Sequence, residues 1–121
     1  MPMTASVLHD DGIAILALAG ELDLATRPRL DTALDAVLAD GLRSVLIDLD
    51  ALTFCDSSGL GALLRAHRVT TQVGASVVVA AARGPVARLL VLTNLAAAVR
   101  VEPEVQPALQ RLRSSPRTST S

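Results

Sequence analysis

The amino-acid sequence predicts an α/β fold with a mixed, mostly parallel sheet of four to five strands packed with about four helices. Short apolar segments alternate with segments whose apolar residues recur at helical spacing, the order expected when helices connect parallel strands. The segments at 13–19 and 76–82 contain almost no polar side chain, which is typical of strands covered on both faces. An Asp-Gly pair at 11–12 predicts a tight hairpin, so we expect one antiparallel strand beside the parallel ones.

The beginning of the chain supplies the hairpin and a first helical connection. A strand at 7–9 leads through the turn to the strand at 13–19, and the segment Gly-Glu-Leu-Asp at 20–23 is expected to end that strand. Thr26 is a suitable N-cap for the next helix, and Gly41 suits the position just after its end.

The middle of the chain repeats this order. A buried strand is predicted at 45–49, and a helix is predicted after Asp56, running to about Gln72. The next buried strand is predicted at 76–82.

The last third contains two more helices and a short strand. One helix is predicted to open at 84–85, a peripheral strand lies at 99–101, and Pro103 is placed to begin the last helix. The end of the chain, 114–121, is rich in Ser, Thr and Pro, and we expect it to be disordered. The domain therefore covers 1–113.

Length and composition exclude several classes of protein. The 121 residues fit one domain, and 50% of them are apolar, which is enough for a core. A net charge of −1 does not suggest binding to nucleic acid or to an anionic membrane. Cys55 is the single cysteine, which fits a reducing compartment. Because the sequence shows neither a signal peptide nor a long apolar run, we expect a cytoplasmic protein.

The most informative segment is Asp-Ser-Ser-Gly-Leu-Gly at 56–61, which follows one predicted strand and opens a predicted helix. The first turn of a helix has backbone N–H groups without partners, and these favour negative charge, phosphate above all. Asp56 is suited to cap them. The hydroxyls of Ser57 and Ser58 lie at the same place, so both are candidate phosphate acceptors.

Two glycines in this segment, Gly59 and Gly61, need an explanation. Each costs about 0.8–1.0 kcal/mol relative to alanine in a helix interior, so an ordinary helix start does not need both. They indicate a place where another backbone or a partner comes close. Capping without any further function is the alternative, because Asp, Ser and Gly are common at helix starts.

The sequence around this segment resembles the signature of the STAS family, which comprises cytosolic domains of sulphate transporters and bacterial anti-sigma factor antagonists. Residues 49–64, L-D-A-L-T-F-C-D-S-S-G-L-G-A-L-L, carry the main match. Residues 18–23 resemble the family's G-E-L-D turn, and residues 84–90 give a weaker third match. The resemblance covers about residues 5–113 and implies a STAS-like single domain.

The resemblance also implies a function. Stand-alone members bind an anti-sigma factor that is also a serine kinase, which frees the sigma factor. The kinase phosphorylates the serine after the motif aspartate, here Ser57, with Ser58 a lesser candidate, and a PP2C-type phosphatase reverses the reaction. The partner-binding residues implied for this chain are Asp23, Asp56, Ser57, Ser58, Gly59, Leu60 and Gly61.

Two other functions compete with this one. A STAS-domain binding subunit of another assembly, such as a lipid-transport complex or a stressosome-type scaffold, is the main alternative. An enzyme is disfavoured, because nucleotide-binding glycine motifs are absent and Ser57 and His67 share one helix, a poor geometry for a catalytic triad. We expect no cofactor, and a monomer or weak homodimer.

Cys55 is expected to be a small buried residue at the end of a strand. The alternative is a redox-sensitive thiol, but no basic residue is adjacent in sequence to lower its pKa. His9 and His67 are isolated, so no metal site is expected.

Two expectations concern surfaces. Arg65 and Arg68 are interpreted as part of a solvated helix face. Leu92, Leu95 and the alanines at 96–98 are expected to form an exposed apolar rim that could be a docking site.

Overall fold

The chain forms one five-stranded sheet whose strands lie in sequence order, β1-β2-β3-β4-β5. The structure is a computed structural model and describes residues 2–114. Strands and helices follow each other in the predicted order, with a short 3-10 helix after the third helix. The elements are β1 (Thr4–Asp10), β2 (Ile13–Leu22), α1 (Arg27–Ala39), β3 (Ser44–Cys55), α2 (Ser57–Gln72), β4 (Ser76–Ala80), α3 (Gly84–Leu92), the 3-10 helix (Leu95–Ala97), β5 (Arg100–Glu102) and α4 (Val105–Ser114).

The sheet has one antiparallel pair, β1 with β2, and three parallel pairs. The hairpin turn consists of Asp11 and Gly12, both with positive φ, at 54° and 82°. Such a turn matches the twist of the flanking strands, which is why Asp-Gly is favoured there. The predicted mostly parallel sheet with a single antiparallel strand is confirmed.

Helices cover both faces of the sheet. The larger core lies between the sheet and α1, α2 and α3, and a smaller cluster lies between the sheet and α4. The larger core includes the buried side chains of Leu16, Leu18, Leu22, Leu30, Leu34, Ile47, Leu49 and Leu63. The smaller cluster includes Ile13, Ile15, Leu46, Val78, Leu109 and Leu112.

β2 is longer than predicted and continues through Gly20 to Leu22. The predicted break at 20–23 is wrong because Gly20, with φ +103°, lets the strand bend without ending. A Cβ atom there would lie only 2.6 Å from the Pro2 carbonyl oxygen, so the position has no room for a side chain. The pairing of β2 with β3 shifts register at this point.

β3 also extends well past its predicted end, to Cys55. The Thr53 hydroxyl donates a hydrogen bond to the Gly20 carbonyl oxygen (3.0 Å), which links the two extensions. Leu22 pairs with Cys55 in the last rung of the ladder. The residues that follow, Asp23 and Asp56, therefore leave the sheet side by side.

β4 is shorter than predicted and ends at Ala80. Ala81 has a positive φ of 66°, which an extended strand does not allow. Its backbone N–H still donates to the Glu102 carbonyl oxygen (3.0 Å).

α1 and α2 are joined by ion pairs of Arg65 with Asp31 (3.2 Å) and Asp35 (3.5 Å). The interpretation of Arg65 as a solvated residue is therefore wrong, whereas Arg68 is exposed as predicted. Arg65 Nη1 and Asp31 Oδ1 are buried and lack an aligned hydrogen bond, so charge rather than hydrogen-bond geometry holds this pair.

The predicted apolar rim is only partly correct. Leu92 is 75% exposed and the alanines at 96–98 are exposed, but Leu95 is buried at 3%. Asn94 adopts a left-handed conformation (φ 55°) just before Leu95, and the chain turns there from α3 into the 3-10 helix.

α4 ends at Ser114, one residue beyond the predicted domain boundary. The rest of the predicted disordered tail lies outside the described residues. Among residues 2–114, no helix is both long and apolar enough to cross a membrane.

Candidate functional site

The N-terminus of α2 is capped by Asp56. This residue has an extended backbone (φ −109°, ψ −169°), and its carboxylate accepts a hydrogen bond from the Gly59 N–H at 2.9 Å. The cap is the one that the sequence predicted, with the acceptor three residues before the donor. Asp56 thus satisfies one of the free N–H groups and fixes where the helix begins.

The two candidate acceptors occupy the first helical positions. Ser57 is exposed, and Ser58 is half-buried. Because the cap is made by Asp56, neither hydroxyl is needed to close the helix end. Of the two, Ser57 is the more accessible to a modifying enzyme.

Gly59 is buried where α2 approaches the end of β2. A Cβ atom at this position would lie 2.5 Å from the Leu22 carbonyl oxygen and 2.7 Å from the Cys55 sulfur, both far inside contact distance. The close backbone approach that the sequence indicated comes from the chain itself. Gly59 is therefore a packing residue and is not exposed to a partner in this structure.

Gly61 and Leu60 are both half-buried. A Cβ atom at Gly61 would lie 3.4 Å from Nη1 and 4.0 Å from Nη2 of Arg27, the ends of a flexible side chain. Leu60 packs against the larger core. Both residues are therefore partly exposed to solvent at the start of α2.

Asp23 organises the turn between β2 and α1. Its carboxylate accepts hydrogen bonds from the backbone N–H groups of Ala25 (3.1 Å) and Thr26 (3.0 Å). Thr26 occupies the predicted N-cap position, but its hydroxyl donates to the Glu21 carbonyl oxygen (2.7 Å) and does not cap the helix. The structure thus brings Asp23 and Asp56 to the same edge of the sheet. Each carboxylate accepts hydrogen bonds from backbone N–H groups of the turn that follows it.

Cys55 is buried at 8% exposure, as predicted. Burial, with a smaller contribution from the neighbouring Asp56 carboxylate, raises the pKa of its thiol to about 11. Both effects disfavour the thiolate, which is the reactive form. The environment of Cys55 therefore argues against a redox-sensitive thiol.

Three residues of this region were not singled out from the sequence. Leu24 is 70% exposed and Phe54 is 44% exposed, both at the edge where β2 and β3 end. Arg27 contributes the cation that lies against Gly61. Leu24 directly follows the G-E-L-D segment and Phe54 is the single aromatic residue, signals that could have identified both.

In the described part of the chain, no group of three or more His, Cys, Asp or Glu side chains is arranged to hold a metal ion. The site consists of hydroxyls, two locally bonded carboxylates, one arginine and exposed apolar side chains. Such a set is suited to recognition and to covalent modification of a hydroxyl.

The family model of the STAS domain matches residues 4–108 of this sequence. The chain belongs to the STAS domain family. The match includes the whole sheet and the region at the start of α2.

Relatives of this STAS domain are named as anti-sigma factor antagonists. The anti-sigma-F factor antagonist RsfB of Mycobacterium tuberculosis is 40% identical over 58 residues, 48% of each chain. The STAS domain thus aligns with about half the length of that relative. The anti-sigma F factor antagonist of Paenibacillus polymyxa is 32% identical over 96 residues, 78% of this chain and 82% of its own.

A solved structure extends the similarity over nearly the whole STAS domain. The crystal structure of an anti-sigma factor antagonist from Mycobacterium paratuberculosis matches with a TM-score of 0.79 and 33% identity. The match covers 93% of this chain and 95% of that chain. The α/β architecture with its mostly parallel sheet is therefore shared with that anti-sigma factor antagonist.

The contrast between the two glycines predicts different effects of the same substitution. Gly59→Ala should destabilise the STAS domain by about 1–3 kcal/mol, because the new methyl group overlaps the Leu22 carbonyl oxygen and overpacks the junction. Gly61→Ala is the matched control, since its methyl group meets only the mobile end of Arg27, and it should be neutral or stabilising by up to about 1 kcal/mol. Urea unfolding of both variants measures the difference. Equal midpoints would contradict the packing role of Gly59.

The Cys55 thiol should react slowly with iodoacetamide in the folded protein. Its rate should keep rising with pH towards about 11, whereas the urea-unfolded chain should titrate near the ordinary value of 9.0. Because the folded pKa lies above the unfolded one, the contribution of this thiol to stability is complete below about pH 9 and is lost as the pH rises towards 11. A plateau of the folded-state rate near pH 9 would show that the thiol is not desolvated.

Proposed function

We propose that this STAS domain is an anti-sigma factor antagonist that is switched by phosphorylation at Ser57. It binds an anti-sigma factor that is also a serine kinase, and this binding frees the sigma factor. The names of its relatives support the general role. One observation carries the proposal: the exposed Ser57 hydroxyl begins α2 and makes no hydrogen bond in the part of the chain that the structure describes.

A phosphate on Ser57 is compatible with the fold. The Asp56 carboxylate already makes the cap to Gly59, so modification of the next residue leaves that hydrogen bond in place. The partial positive charge of the helix N-terminus favours an anion there. The modified protein should therefore keep its structure.

The phosphate changes what a partner meets. A phosphoserine adds about −1.5 to −2 charges near the carboxylates of Asp23 and Asp56. A like-charge contact in a desolvated interface costs several kcal/mol. Since every 1.4 kcal/mol corresponds to about a factor of ten in affinity, one phosphate is enough to end the binding without refolding.

The exposed apolar side chains of Leu24 and Phe54 add a contact surface at the same edge. Aromatic and apolar anchors surrounded by polar groups are typical of protein interfaces. In our proposal the partner contacts these two residues together with the exposed parts of Ser58, Leu60 and Gly61. Gly59 takes part only indirectly, because it is buried.

The proposal also includes a second acceptor, a phosphatase and a cellular setting. Ser58 is the second candidate acceptor, and a PP2C-type phosphatase restores the unmodified protein. The domain acts in the cytoplasm as a monomer or weak homodimer, without direct contact to nucleic acid or membrane. It is a substrate of the kinase and not an enzyme itself.

Phosphorylation is tested by incubating the purified protein with candidate anti-sigma factor kinases and ATP, followed by mapping of the phosphate by mass spectrometry. One phosphate is expected, on Ser57. Ser57→Ala should abolish labelling, whereas the matched Ser58→Ala variant should still be labelled at Ser57. Labelling that persists in Ser57→Ala would assign the site to another residue.

The switch itself is tested by binding to the kinase that labels the protein. Ser57→Asp should weaken the complex by about a hundredfold or more, because it places a negative charge in the interface. Ser76→Asp is the control: it makes the same charge change at the opposite end of the sheet, and its affinity should stay near that of the unsubstituted protein. Wild-type affinity of Ser57→Asp would refute the electrostatic switch. Capture of subunits of a membrane-transport ATPase in place of an anti-sigma factor would favour the alternative assembly.

A further inference from the structure

Arg27 lies between α1 and α2, the two helices that flank the site. It is the first residue of α1, and its backbone N–H donates to the Asp23 carbonyl oxygen at 2.9 Å. This hydrogen bond ties the start of α1 to the turn at the end of β2. From there the half-buried side chain reaches across to α2, where its guanidinium lies against Gly61.

The contact belongs to a row of charged residues along the α1–α2 interface. Residues 27, 31 and 35 are spaced by four on α1, and residues 61 and 65 are spaced by four on α2, so each set lies on one helix face. Arg65 is paired with both Asp31 and Asp35. Arg27 faces Gly61, which has no side chain with which the guanidinium could form an ion pair.

In the described part of the chain, Arg27 therefore lacks a partner of opposite charge. Within residues 2–114 it makes no side-chain hydrogen bond and no ion pair. A cation at the first position of a helix is also unfavourable, because the helix N-terminus is itself partly positive. α1 has no acidic residue in its first turn to offset this.

The candidate phosphate acceptor lies on the same face of α2 as the glycine that Arg27 contacts. Ser57 lies four residues before Gly61, and residues at this spacing on a helix have Cβ atoms about 5–6 Å apart on the same face. Because Nη1 of Arg27 lies 3.4 Å from the point that a Cβ atom of Gly61 would occupy, the guanidinium is on the same face of α2 as Ser57. The terminal oxygens of a phosphoryl group on Ser57 lie beyond the serine oxygen by an O–P and a P–O bond, which shortens the gap that the flexible end of Arg27 has to span.

We propose that Arg27 is the internal partner of the phosphoryl group on Ser57. This inference rests on the proposed phosphorylation and adds its regulation. In the unmodified protein the guanidinium has no ion-pair partner among residues 2–114. After phosphorylation it forms a charge-assisted, bidentate contact with the phosphate, the geometry that arginine supplies best.

The pairing changes two features of the surface at once. The phosphate becomes an ordered group held between the N-termini of α1 and α2. The guanidinium is withdrawn from any acidic group that a partner brings to this edge. Arg27 is thus a positioning residue, which acts through the phosphate and takes no part in transferring it.

The test uses the full chain with phosphoserine incorporated at position 57 during synthesis, so that no kinase is needed. The second ionisation of the phosphate is followed by ³¹P NMR as a function of pH. A nearby cation favours the dianion and lowers this pKa, whereas Asp23 and Asp56 act in the opposite direction. The variants are Arg27→Gln and, as a matched control, Arg88→Gln, which removes an exposed arginine of α3.

Arg27→Gln should raise the pH midpoint of the second phosphate ionisation by about one unit, and Arg88→Gln should leave this midpoint unchanged. Gly61→Leu gives a second variant, because its side chain displaces the guanidinium from α2 and keeps the charge in the protein. It should raise the midpoint as well. Equal midpoints in the unsubstituted, Arg27→Gln and Gly61→Leu proteins would overturn the pairing.

This outcome is separate from that of the kinase experiment. If no kinase labels Ser57, the proposed function fails although the titration still detects the contact. If the kinase labels Ser57 and the midpoints are equal, the switch stands and the role of Arg27 is refuted.

Discussion

The close approach of α2 to the end of β2 is the constraint on which the candidate site depends. Gly59 brings the first turn of the helix against the Leu22 carbonyl oxygen and the Cys55 sulfur, with no room for a side chain. The backbone N–H of Asp56 also reaches the Leu22 carbonyl oxygen, at 3.4 Å. These contacts set the direction in which α2 leaves the sheet and therefore the direction in which Ser57 faces solvent.

The same constraint explains how two acidic residues come to lie side by side without destabilising the fold. Asp23 and Asp56 follow a paired rung of the sheet, and each carboxylate accepts hydrogen bonds from the N–H groups of its own turn. Each carboxylate is therefore held within its own turn by backbone N–H donors. This edge thus carries two negative charges, and the hydrogen bonds of both carboxylates are made by neighbouring backbone N–H groups.

Features that depend on local chemistry could be predicted from the sequence. The Asp11-Gly12 hairpin, the Asp56 cap and the bounds of α2 are each determined by a few adjacent residues, and the structure confirms them. The order of strands and helices follows from apolar spacing alone. The family resemblance, and not this physics, singled out Ser57 over the other hydroxyls of the chain.

Features that depend on distant parts of the chain could not be predicted in this way. β2 continues past Gly20 because its last residues pair with the distant end of β3, and the backbone of Pro2 leaves room only for glycine at the bend. Arg65 is paired because α1 and α2 are neighbours in space. The exposure of Leu24 and the contact of Arg27 with Gly61 likewise depend on how the two turns are placed in three dimensions.

The hydrogen bond from Gly59 to Asp56 affects how soon a binding partner can detect a modification of Ser57. Since the helix start is closed by the residue before Ser57, a group added to that serine disturbs no existing bond, and no segment has to open or reclose. A binding partner would sense the altered surface as soon as the covalent step is complete. The lifetime of each state would then be set by the enzymes that add and remove the group, and not by motions of this chain.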